Sequence, residues 1–262
     1  MKIISLNIWG GKIYEPLMEF IKKHSRSVDV FCFQEAYKSP SGISVSREMH
    51  MNILEDITNI LPEYEPFFGP VQDGWDSYGP VDFEVSFGQA TFARNTVKVI
   101  PDSVKQVFIC GEKNSAEPKD ETSMPASMFC LNVLKSGKIH TICNVHGFAR
   151  PGSKLDTPER ILQSRKIKDF LNKEENKTVI LCGDFNLMPE TESVKMLEEN
   201  LENLIKKFNI TNTRSRLSQY HGTLDEQKFA DYMFVSSDIR VMEFKVLDDQ
   251  VSDHLPLYLE FS

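Results

Sequence analysis

The chain has 262 residues, of which 40% are hydrophobic and 26% are charged. These proportions are typical of a globular protein and exclude a disordered or fibrous chain. Lysine and arginine together number 30 against 38 aspartate and glutamate residues, which gives a formal net charge of -8. An acidic chain is a poor candidate for a non-specific nucleic-acid coat, because such proteins need an excess of cations. No run of about 18 apolar residues is present, which excludes a membrane-spanning helix.

The start of the chain and the cysteines bear on the compartment. The first ten residues, MKIISLNIWG, lack a long apolar core and a small-residue cleavage site, so we expect no secretory signal. An odd number of cysteines without Cys-x-x-Cys spacing argues against a disulfide framework and a thiolate zinc site. We therefore expect buried free thiols in a cytoplasmic protein. The cysteines are Cys32, Cys110, Cys130, Cys143 and Cys182.

Short apolar runs rich in valine, isoleucine and phenylalanine predict the strands. In chain order the predicted strands are Lys2–Asn7, Val28–Gln34, Gln89–Arg94, Val97–Phe108, Ser127–Leu134, Lys138–Val145, Thr178–Asp184, Phe229–Val235, Ile239–Val246 and Leu255–Phe261. Between two of these strands, Lys135-Ser136-Gly137 predicts a hairpin turn, because Gly137 can adopt a positive φ.

The predicted helices are fewer. Apolar residues recur every three or four positions in Glu15–His24 and Ser46–Leu61. The sequence Thr157-Pro158-Glu159 predicts the start of a helix that extends to about Asn172. Ser193–Phe208 predicts one or two more helical turns, and the polar stretch Gly111–Pro125 predicts a solvated loop.

No linker divides the chain, and many strands with few helices favour mixed sheets with helices on the outside. We therefore expect a single domain over residues 1–262, with a split into two domains as the alternative.

Polar residues stand at the ends of six predicted strands. They are Asn7, Glu35, His146, Asp184 with Asn186, Asp231, and Asp253 with His254. An acid or histidine beside a buried strand is costly if it is unpaired, so six such places are hard to explain as turn chemistry. Sheets collect ligands and catalytic groups at strand ends. Oxygen-rich clusters suit a hard cation such as Mg²⁺ or Mn²⁺.

The segments around these residues resemble the endonuclease/exonuclease/phosphatase superfamily, in that family's order and over nearly the whole chain. The matching motifs are Leu6-Asn7-Ile8-Trp9, Phe33-Gln34-Glu35, Asn144-Val145-His146-Gly147, Gly183-Asp184-Phe185-Asn186, Asp231-Tyr232 and Ser252-Asp253-His254. The resemblance implies an α/β fold, a four-layer α/β/β/α sandwich of two packed mixed β-sheets flanked by helices. It also implies hydrolysis of a phosphate ester with Mg²⁺ or Mn²⁺ as cofactor.

The resemblance further implies a metal site. Glu35 resembles the principal metal ligand of the family, Asn7 its supporting residue, and Asp253 a residue close to the metal. All three supply hard oxygen atoms and no thiolate, in agreement with magnesium or manganese.

Catalytic roles are implied in the same way. Asp184 matches the acid that handles the attacking water or the leaving group, and Asn186 the residue that orients the phosphate. His254 matches the histidine that contacts the scissile phosphate, and Asp231 the acid that holds its ring. His146 fits the branch of the family with histidine at a place where abasic-site endonucleases have tyrosine, which argues against an abasic-DNA substrate.

Two segments are candidates for substrate contact. Arg150 and Lys154 follow His146 closely, and Arg214 and Arg216 precede the strand of Asp231. Each of these four cations is a candidate phosphate ligand, with ordinary surface charge as the alternative.

A third segment, Asp73–Phe87, mixes aromatic residues with acids. Its rings suit a base or an apolar group, and its acids favour a cationic head group over a polyanionic backbone. A core strand followed by a turn is the alternative for some of these rings.

The leading hypothesis is therefore a phosphodiesterase that acts on a nucleotide-containing or nucleic-acid ester, with no obligate protein partner. A small-molecule or lipid phosphohydrolase of sphingomyelinase or inositol-phosphate type is the alternative enzyme. A catalytically inactive binding module on the same fold is the alternative outside enzymes.

Overall fold

The structure is a computed structural model that describes residues 1–120, 122–173, 178–224 and 226–262. Its strands are β1 (Lys2–Asn7), β2 (Val30–Lys38), β3 (Val45–Ser46), β4 (Met49–His50), β5 (Tyr64–Asp73), β6 (Trp75–Asp76), β7 (Gly79–Pro80), β8 (Ser86–Arg94), β9 (Lys98–Val99), β10 (Lys105–Cys110), β11 (Ala126–Lys135), β12 (Lys138–His146), β13 (Val179–Asp184), β14 (Glu202–Asn203), β15 (Asp231–Val235), β16 (Val241–Val246) and β17 (Leu257–Phe261). Its helices are α1 (Tyr14–His24), α2 (Ile53–Ile60), α3 (Pro158–Lys173), α4 (Glu192–Glu198) and α5 (Leu204–Lys207), with a 3-10 turn at Trp9–Gly11.

The described strands form two large mixed sheets. The first has the order β16-β17-β1-β2-β8-β5, and the second has the order β10-β11-β12-β13-β15-β14, with β9 paired to β11. In each sheet one parallel pair lies near the centre, β1 with β2 and β12 with β13, and the remaining pairs are antiparallel. The two parallel pairs carry most of the polar strand ends found in the sequence.

The layers follow from the alternation of side chains along the central strands. Ile4 and Phe31 pack with α1 and α2 on the outer face of the first sheet. Ile3 and Cys32, one position away, belong to the core shared with the second sheet, which α3, α4 and α5 cover from the other side. The predicted four-layer sandwich of two mixed sheets flanked by helices is therefore confirmed.

A buried network of polar side chains joins the two sheets below the ends of the parallel strands. Gln34 Nε2 donates to Asn144 Oδ1 at 2.6 Å, and Asn144 Nδ2 donates to the Phe33 carbonyl at 3.0 Å. Gln89 Nε2 donates to the Ser127 carbonyl at 2.7 Å. Buried polar groups are costly unless they are hydrogen-bonded, and paired networks define a unique packing. These bonds therefore hold the two sheets in one relative position where the polar strand ends meet.

The structure differs from the predicted elements in three places. The strand predicted at Val97–Phe108 is divided into β9 and β10. β5 has no counterpart among the predicted strands, because Pro66, Gly69 and Pro70 weaken a strand pattern; it lies at the edge of the first sheet, where proline is tolerated. The helix predicted from Ser46 begins only at Ile53, because the preceding residues form the β3–β4 hairpin, whose turn contains Arg47 with a φ of 48°. The hairpin predicted at Gly137 is confirmed, with a φ of 78° at that glycine.

The cysteines differ from the expectation of free thiols. Cys130 of β11 and Cys143 of β12 lie opposite each other in the sheet register and are joined by a disulfide. The sequence cannot reveal such a pair, since the two residues are brought together by the register of the hairpin. Cys32, Cys110 and Cys182 are free, as expected. Within the described ranges, no helix combines the length and the apolar character needed to cross a membrane.

Candidate active site

Polar residues from both sheets meet at one end of the sandwich. His146 of β12 is the register partner of Asp184 of β13, which is in turn the register partner of Asp231 of β15. Asn7 is the last residue of β1, and its amide reaches across to Asp184. Because the carboxyl ends of parallel strands share an edge, the structure brings together side chains that lie far apart in the sequence.

His254 and Asp231 form a buried pair. Nδ1 of His254 lies 2.9 Å from Oδ1 and 2.8 Å from Oδ2 of Asp231, and neither side chain is more than 4% exposed. Burial lowers the pKa of His254, but Asp231 and its acidic neighbours outweigh that effect and raise the pKa from 6.5 to about 9. The ring is therefore protonated at neutral pH, and Nε2 is a hydrogen-bond donor that faces Asp184 Oδ2 at 3.6 Å.

Asp184 is buried and surrounded by cations. Burial raises its pKa, whereas His254, Arg214 and the neighbouring basic residues lower it, with a net result of about 2. Its Oδ1 accepts the Asn186 N–H at 2.9 Å, and its Oδ2 accepts from Asn7 Nδ2 at 3.1 Å. Asp184 is thus ionised at neutral pH and serves as a hydrogen-bond acceptor next to the imidazolium of His254.

Glu35 occupies an irregular position of β2. The register between β2 and β8 shifts between Phe33 and Ala36, and Glu35 has a φ of 56°. Such bulges redirect a side chain and are frequent beside active sites. The Glu35 carboxylate, 19% exposed, accepts from Asn7 Nδ2 at 3.0 Å and lies 3.7 Å from His146 Nε2. The oxygen of Asn7 accepts the Trp9 N–H at 3.0 Å, so in this arrangement Asn7 contacts Glu35 through nitrogen.

The donor set suits a hard divalent cation. Glu35, Asp184 and Asp253 each present carboxylate oxygens to the same cavity, and oxygen ligands of this kind favour Mg²⁺ or Mn²⁺. Among the described residues, one triplet of ligand atoms lies within 4.8 Å of one another, in Asp184, Asp231 and His254. His254 Nδ1 in this triplet is already hydrogen-bonded to both oxygens of Asp231, which leaves Glu35 as the carboxylate better placed to bind a cation.

Asn186 and Lys154 lie on the other side of Asp184. Asn186, at a φ of 55°, donates from Nδ2 to the Gly147 carbonyl at 3.1 Å. The Lys154 ammonium donates to Asn186 Oδ1 and, at 2.9 Å, to the Ala149 carbonyl. Burial lowers the pKa of Lys154 from 10.5 to about 8, against the opposing effect of Asp184. Lys154 is therefore a buried cation within the site, and its contact with the substrate stays a prediction.

The four candidate cations are not equivalent. Arg150 and Lys154 line the cavity. Arg214 does so as well, with Nη1 at 2.5 Å from His254 Nε2 and 3.2 Å from Asp253 Oδ2. Arg216 points away and pairs with Asp248 at 3.3 Å, both side chains being largely exposed.

The chain direction explains this difference between the two arginines. The chain turns after Ser215, whose carbonyl accepts the Ser218 N–H at 3.2 Å. The structure therefore does not bring Arg216 into the site.

The site opens into a cavity of about 700 Å³. The aromatic residues of its wall are Trp9, Trp75, Tyr78, Phe87, Phe148 and Tyr220. Lys12 braces part of this wall, since its ammonium lies 4.6 Å from the centre of the Trp9 ring and donates to Tyr78 Oη at 2.8 Å.

The predicted solvated loop Gly111–Pro125 also contributes to the cavity. Pro118, Met124 and Pro125 line it, together with Glu117 and Asp120 on either side of Lys119. Its polar composition concealed this role, because the contact depends on the packing of distant segments.

The acids of the Asp73–Phe87 segment lie outside the cavity wall, and two of them have partners of their own. Asp76 has no exposed side-chain surface and pairs with Arg47 at 2.9 Å. Asp73 accepts from Ser86 at 2.6 Å and pairs with Lys113 at 3.1 Å. None of the four acids in this segment is among the residues that line the cavity, so the segment offers its rings and not its carboxylates.

Comparisons with solved structures agree with this fold. An endonuclease/exonuclease/phosphatase from Bacteroides vulgatus has a TM-score of 0.71 at 15% identity, covering 100% of this chain and 98% of that one. A mannosyl-6-phosphatase from Bacteroides thetaiotaomicron has a TM-score of 0.71 at 17% identity, covering 100% and 99%. The human Nocturnin catalytic domain has a TM-score of 0.67 at 19% identity, covering 100% and 93%. At these identities the likeness shows the fold alone.

Sequence comparison identifies the family. Among curated proteins no sequence matches the chain. The model of the Endonuclease/Exonuclease/phosphatase family, in contrast, matches residues 4–254, which include every polar strand end described above. The chain therefore belongs to the endonuclease/exonuclease/phosphatase family.

Proposed function

We propose that this protein is a divalent-metal-dependent phosphodiesterase that hydrolyses a small, nucleotide-containing ester. The observation that carries the proposal is one cavity that joins the carboxylate of Glu35 to the protonated His254 and the ionised Asp184. Members of this family are hydrolases of phosphoester bonds, which supports the reaction class. Hydrolysis of such an anion depends on neutralising charge and positioning groups, and this cavity supplies both.

Each side chain has a distinct task in this proposal. The imidazolium of His254 donates to a non-bridging phosphoryl oxygen, and Asp231 keeps the ring charged and oriented. Asp184 accepts a hydrogen bond from the attacking water and orients it; with a pKa of about 2 it is poorly suited to hold a proton. Asn186 and His146 donate to the remaining phosphoryl oxygens. A cation beside Glu35, with Asn7 and Asp253 as its neighbours, would polarise a phosphoryl oxygen and stabilise the leaving oxygen.

Arg214 supports the same assignment. With His254 protonated, Arg214 Nη1 and His254 Nε2 are both donors, yet they lie 2.5 Å apart. Within the described residues, Nε of Arg214 is buried without a hydrogen-bond partner. A phosphoryl oxygen between the two groups would accept from both and remove the repulsion.

The cavity favours a small substrate over a polymer. Its volume of about 700 Å³ is in the range of small-molecule sites. Segments from many separate parts of the chain surround it, and the net charge of -8 does not favour a long polyanion. The aromatic wall suits the stacking of a base. Of the acids in Asp73–Phe87, Asp76 pairs with Arg47 and Asp73 with Lys113, and none lines the cavity, which favours the nucleotide over the sphingomyelinase-like alternative.

A substrate panel tests the proposal. The purified protein with Mn²⁺ is offered bis(p-nitrophenyl) phosphate, p-nitrophenyl thymidine 5'-phosphate, p-nitrophenyl phosphate, an inositol phosphate, sphingomyelin, abasic DNA and single-stranded DNA and RNA. We expect the nucleotide diester to have the highest kcat/KM, and His254→Ala to serve as the matched blank. Preference for a monoester or for sphingomyelin would show that the proposed substrate class is wrong and that the preferred ester takes its place. Failure with every ester would favour an inactive binding module.

A further inference from the structure

Arg160 of α3 is a fully buried charged residue for which the proposed chemistry has no use. Its guanidinium donates to the carbonyls of Phe148 at 3.3 Å, Ala149 at 3.3 Å, Pro151 at 2.6 Å and Leu155 at 2.6 Å. All four acceptors belong to one loop, residues 148–155. A buried charge is costly unless it is well paired. If this loop changed its conformation, the buried guanidinium of Arg160 would lose its hydrogen-bond acceptors, so these bonds stabilise the observed conformation.

The loop that Arg160 holds from below lines the cavity on its other side. Ala149, Gly152 and Lys154 are among the lining residues. In a trans peptide the carbonyl and the following N–H point in opposite directions. The carbonyls of Phe148 and Pro151 that face Arg160 therefore turn the N–H groups of Ala149 and Gly152 away from it, and both of these residues line the cavity.

Lys154 completes this arrangement with a strained backbone. It has a φ of 59°, in the left-handed region, which is unfavourable for a residue with a side chain. Its ammonium donates to the Ala149 carbonyl, which Arg160 also holds, and to Asn186 Oδ1. The position of the Lys154 charge is thus set by the loop conformation that Arg160 maintains.

Gln163, one turn further along α3, ties the loop to the segment that follows β13. Its Oε1 accepts the Phe148 N–H at 2.7 Å, and its Nε2 donates to the Phe185 carbonyl at 3.2 Å. A Cβ at Gly147 would lie 2.5 Å from the Phe185 carbonyl oxygen, so the two segments touch without room for a side chain. The buried face of α3 therefore aligns both segments that flank Asp184.

We infer that Arg160 is a positioning residue that shapes residues 148–155, with Lys154, into a preformed oxyanion subsite beside Asn186. The occupant is a phosphoryl group of the substrate, and in that respect the inference rests on the proposed function. A preformed subsite binds more tightly because the loop does not have to be ordered at the moment of binding.

The test measures anion binding without turnover. Inorganic phosphate is titrated into the protein by calorimetry for wild type, Arg160→Met, Arg160→Lys and the control Lys166→Met. Lys166 lies on the same helix and also donates to a carbonyl, that of Phe108 at 3.2 Å, but it is remote from the loop. Limited trypsin digestion at the Lys154–Leu155 bond reports on the loop conformation.

We expect both Arg160 variants to raise the dissociation constant of phosphate by about 10- to 100-fold, the range of one or two charge-assisted hydrogen bonds. Cleavage after Lys154 should accelerate, while Lys166→Met should match wild type in both measurements. If Arg160→Met does not fold, Arg160→Lys carries the comparison, since it keeps the charge and most of the stem.

A fall in melting temperature with unchanged phosphate binding and unchanged cleavage would overturn the inference, because a purely structural arginine predicts that result. Failure of wild type to bind phosphate would overturn it as well. Loss of phosphate binding in the Arg160 variants of a protein that hydrolyses no ester would instead uphold the subsite and reject the proposed function.

Discussion

Arg214 Nη1 lies 2.5 Å from Nε2 of His254, although the guanidinium is always charged and the pKa of the histidine is about 9. Arg214 and His254 are held in this position by a short antiparallel β-bridge between them. In this bridge the Leu255 N–H donates to the Thr213 carbonyl at 2.8 Å. Two cations so close repel each other, although Asp253 Oδ2 lies 3.2 Å from Arg214 Nη1 and 3.7 Å from His254 Nε2. A phosphoryl oxygen that accepts from both donors would relieve the remaining repulsion.

Replacement of Arg214 should therefore impair the reaction selectively. We expect Arg214→Gln to reduce kcat/KM about 10- to 100-fold, the effect of losing one charge-assisted hydrogen bond to a phosphoryl oxygen. Arg216→Gln is the matched control, because Arg216 pairs with Asp248 outside the cavity. Steady-state kinetics should show a change of less than about twofold for this control. Equal losses in the two variants would contradict the assignment of Arg214.

The Asp231–His254 pair should behave as a unit. We expect His254→Ala to lower kcat about 10²- to 10⁴-fold and Asp231→Asn to lower it less, since Asp231 acts through the ring. Loss of the Asp231 charge lowers the pKa of His254, so the alkaline limb of kcat should move from about 9 to lower pH. The double variant should lose little more than His254→Ala alone. Strictly additive losses would show that the two side chains do not cooperate.

Lys154 should introduce a separate pH dependence. Its pKa is about 8, so its ammonium loses its charge as the pH rises through that value. We expect kcat/KM, which reports the free enzyme, to fall above pH 8 as phosphate binding weakens. In Lys154→Met this limb should disappear while the limb assigned to His254 remains. If the decline of kcat/KM above pH 8 persisted in Lys154→Met, that decline would arise from a group other than Lys154.

The metal site should depend on the charge of Glu35. We expect Glu35→Gln to weaken the calorimetric affinity for Mn²⁺ at least about tenfold with little change in melting temperature, because the variant keeps the shape and removes the charge. Glu65→Gln, on the exposed face of β5, is the matched control. EDTA should abolish turnover, and either Mg²⁺ or Mn²⁺ should restore it. Turnover that survives thorough chelation would contradict the metal assignment.

The central strands and their polar ends could be predicted from the sequence for a local reason. The apolar runs within Lys2–Asn7 and Thr178–Asp184 are buried on both faces. The polar residue that ends each run is therefore easy to recognise in the sequence. The order of the motifs then indicated one protein family, in which the residues that match Asn7, Asp184 and His254 belong to the same site. The edge strand β5 lacks such a run, because only one of its sides is paired.

Other features of the site depend on contacts between distant segments. Nothing local distinguishes Arg214 from Arg216; a turn after Ser215 separates them. Arg160 and Gln163 occupy the buried face of α3, where a helical pattern leads one to expect apolar residues, so they read as surface positions. Their partners are main-chain carbonyl and N–H groups of a loop, which carry no signal in the sequence.

The most direct test of the account compares a dinucleotide with a polymer that contains the same phosphodiester bond. The measurement is kcat/KM for a thymidine dinucleotide and for single-stranded DNA, with Mn²⁺, in wild type and in His254→Ala. A cavity of small-molecule size predicts that wild type cleaves the small ester at least as well per bond as the polymer, and that His254→Ala cleaves neither. Efficient cleavage of the polymer with little activity on the small ester would contradict it, as would hydrolysis that does not depend on His254.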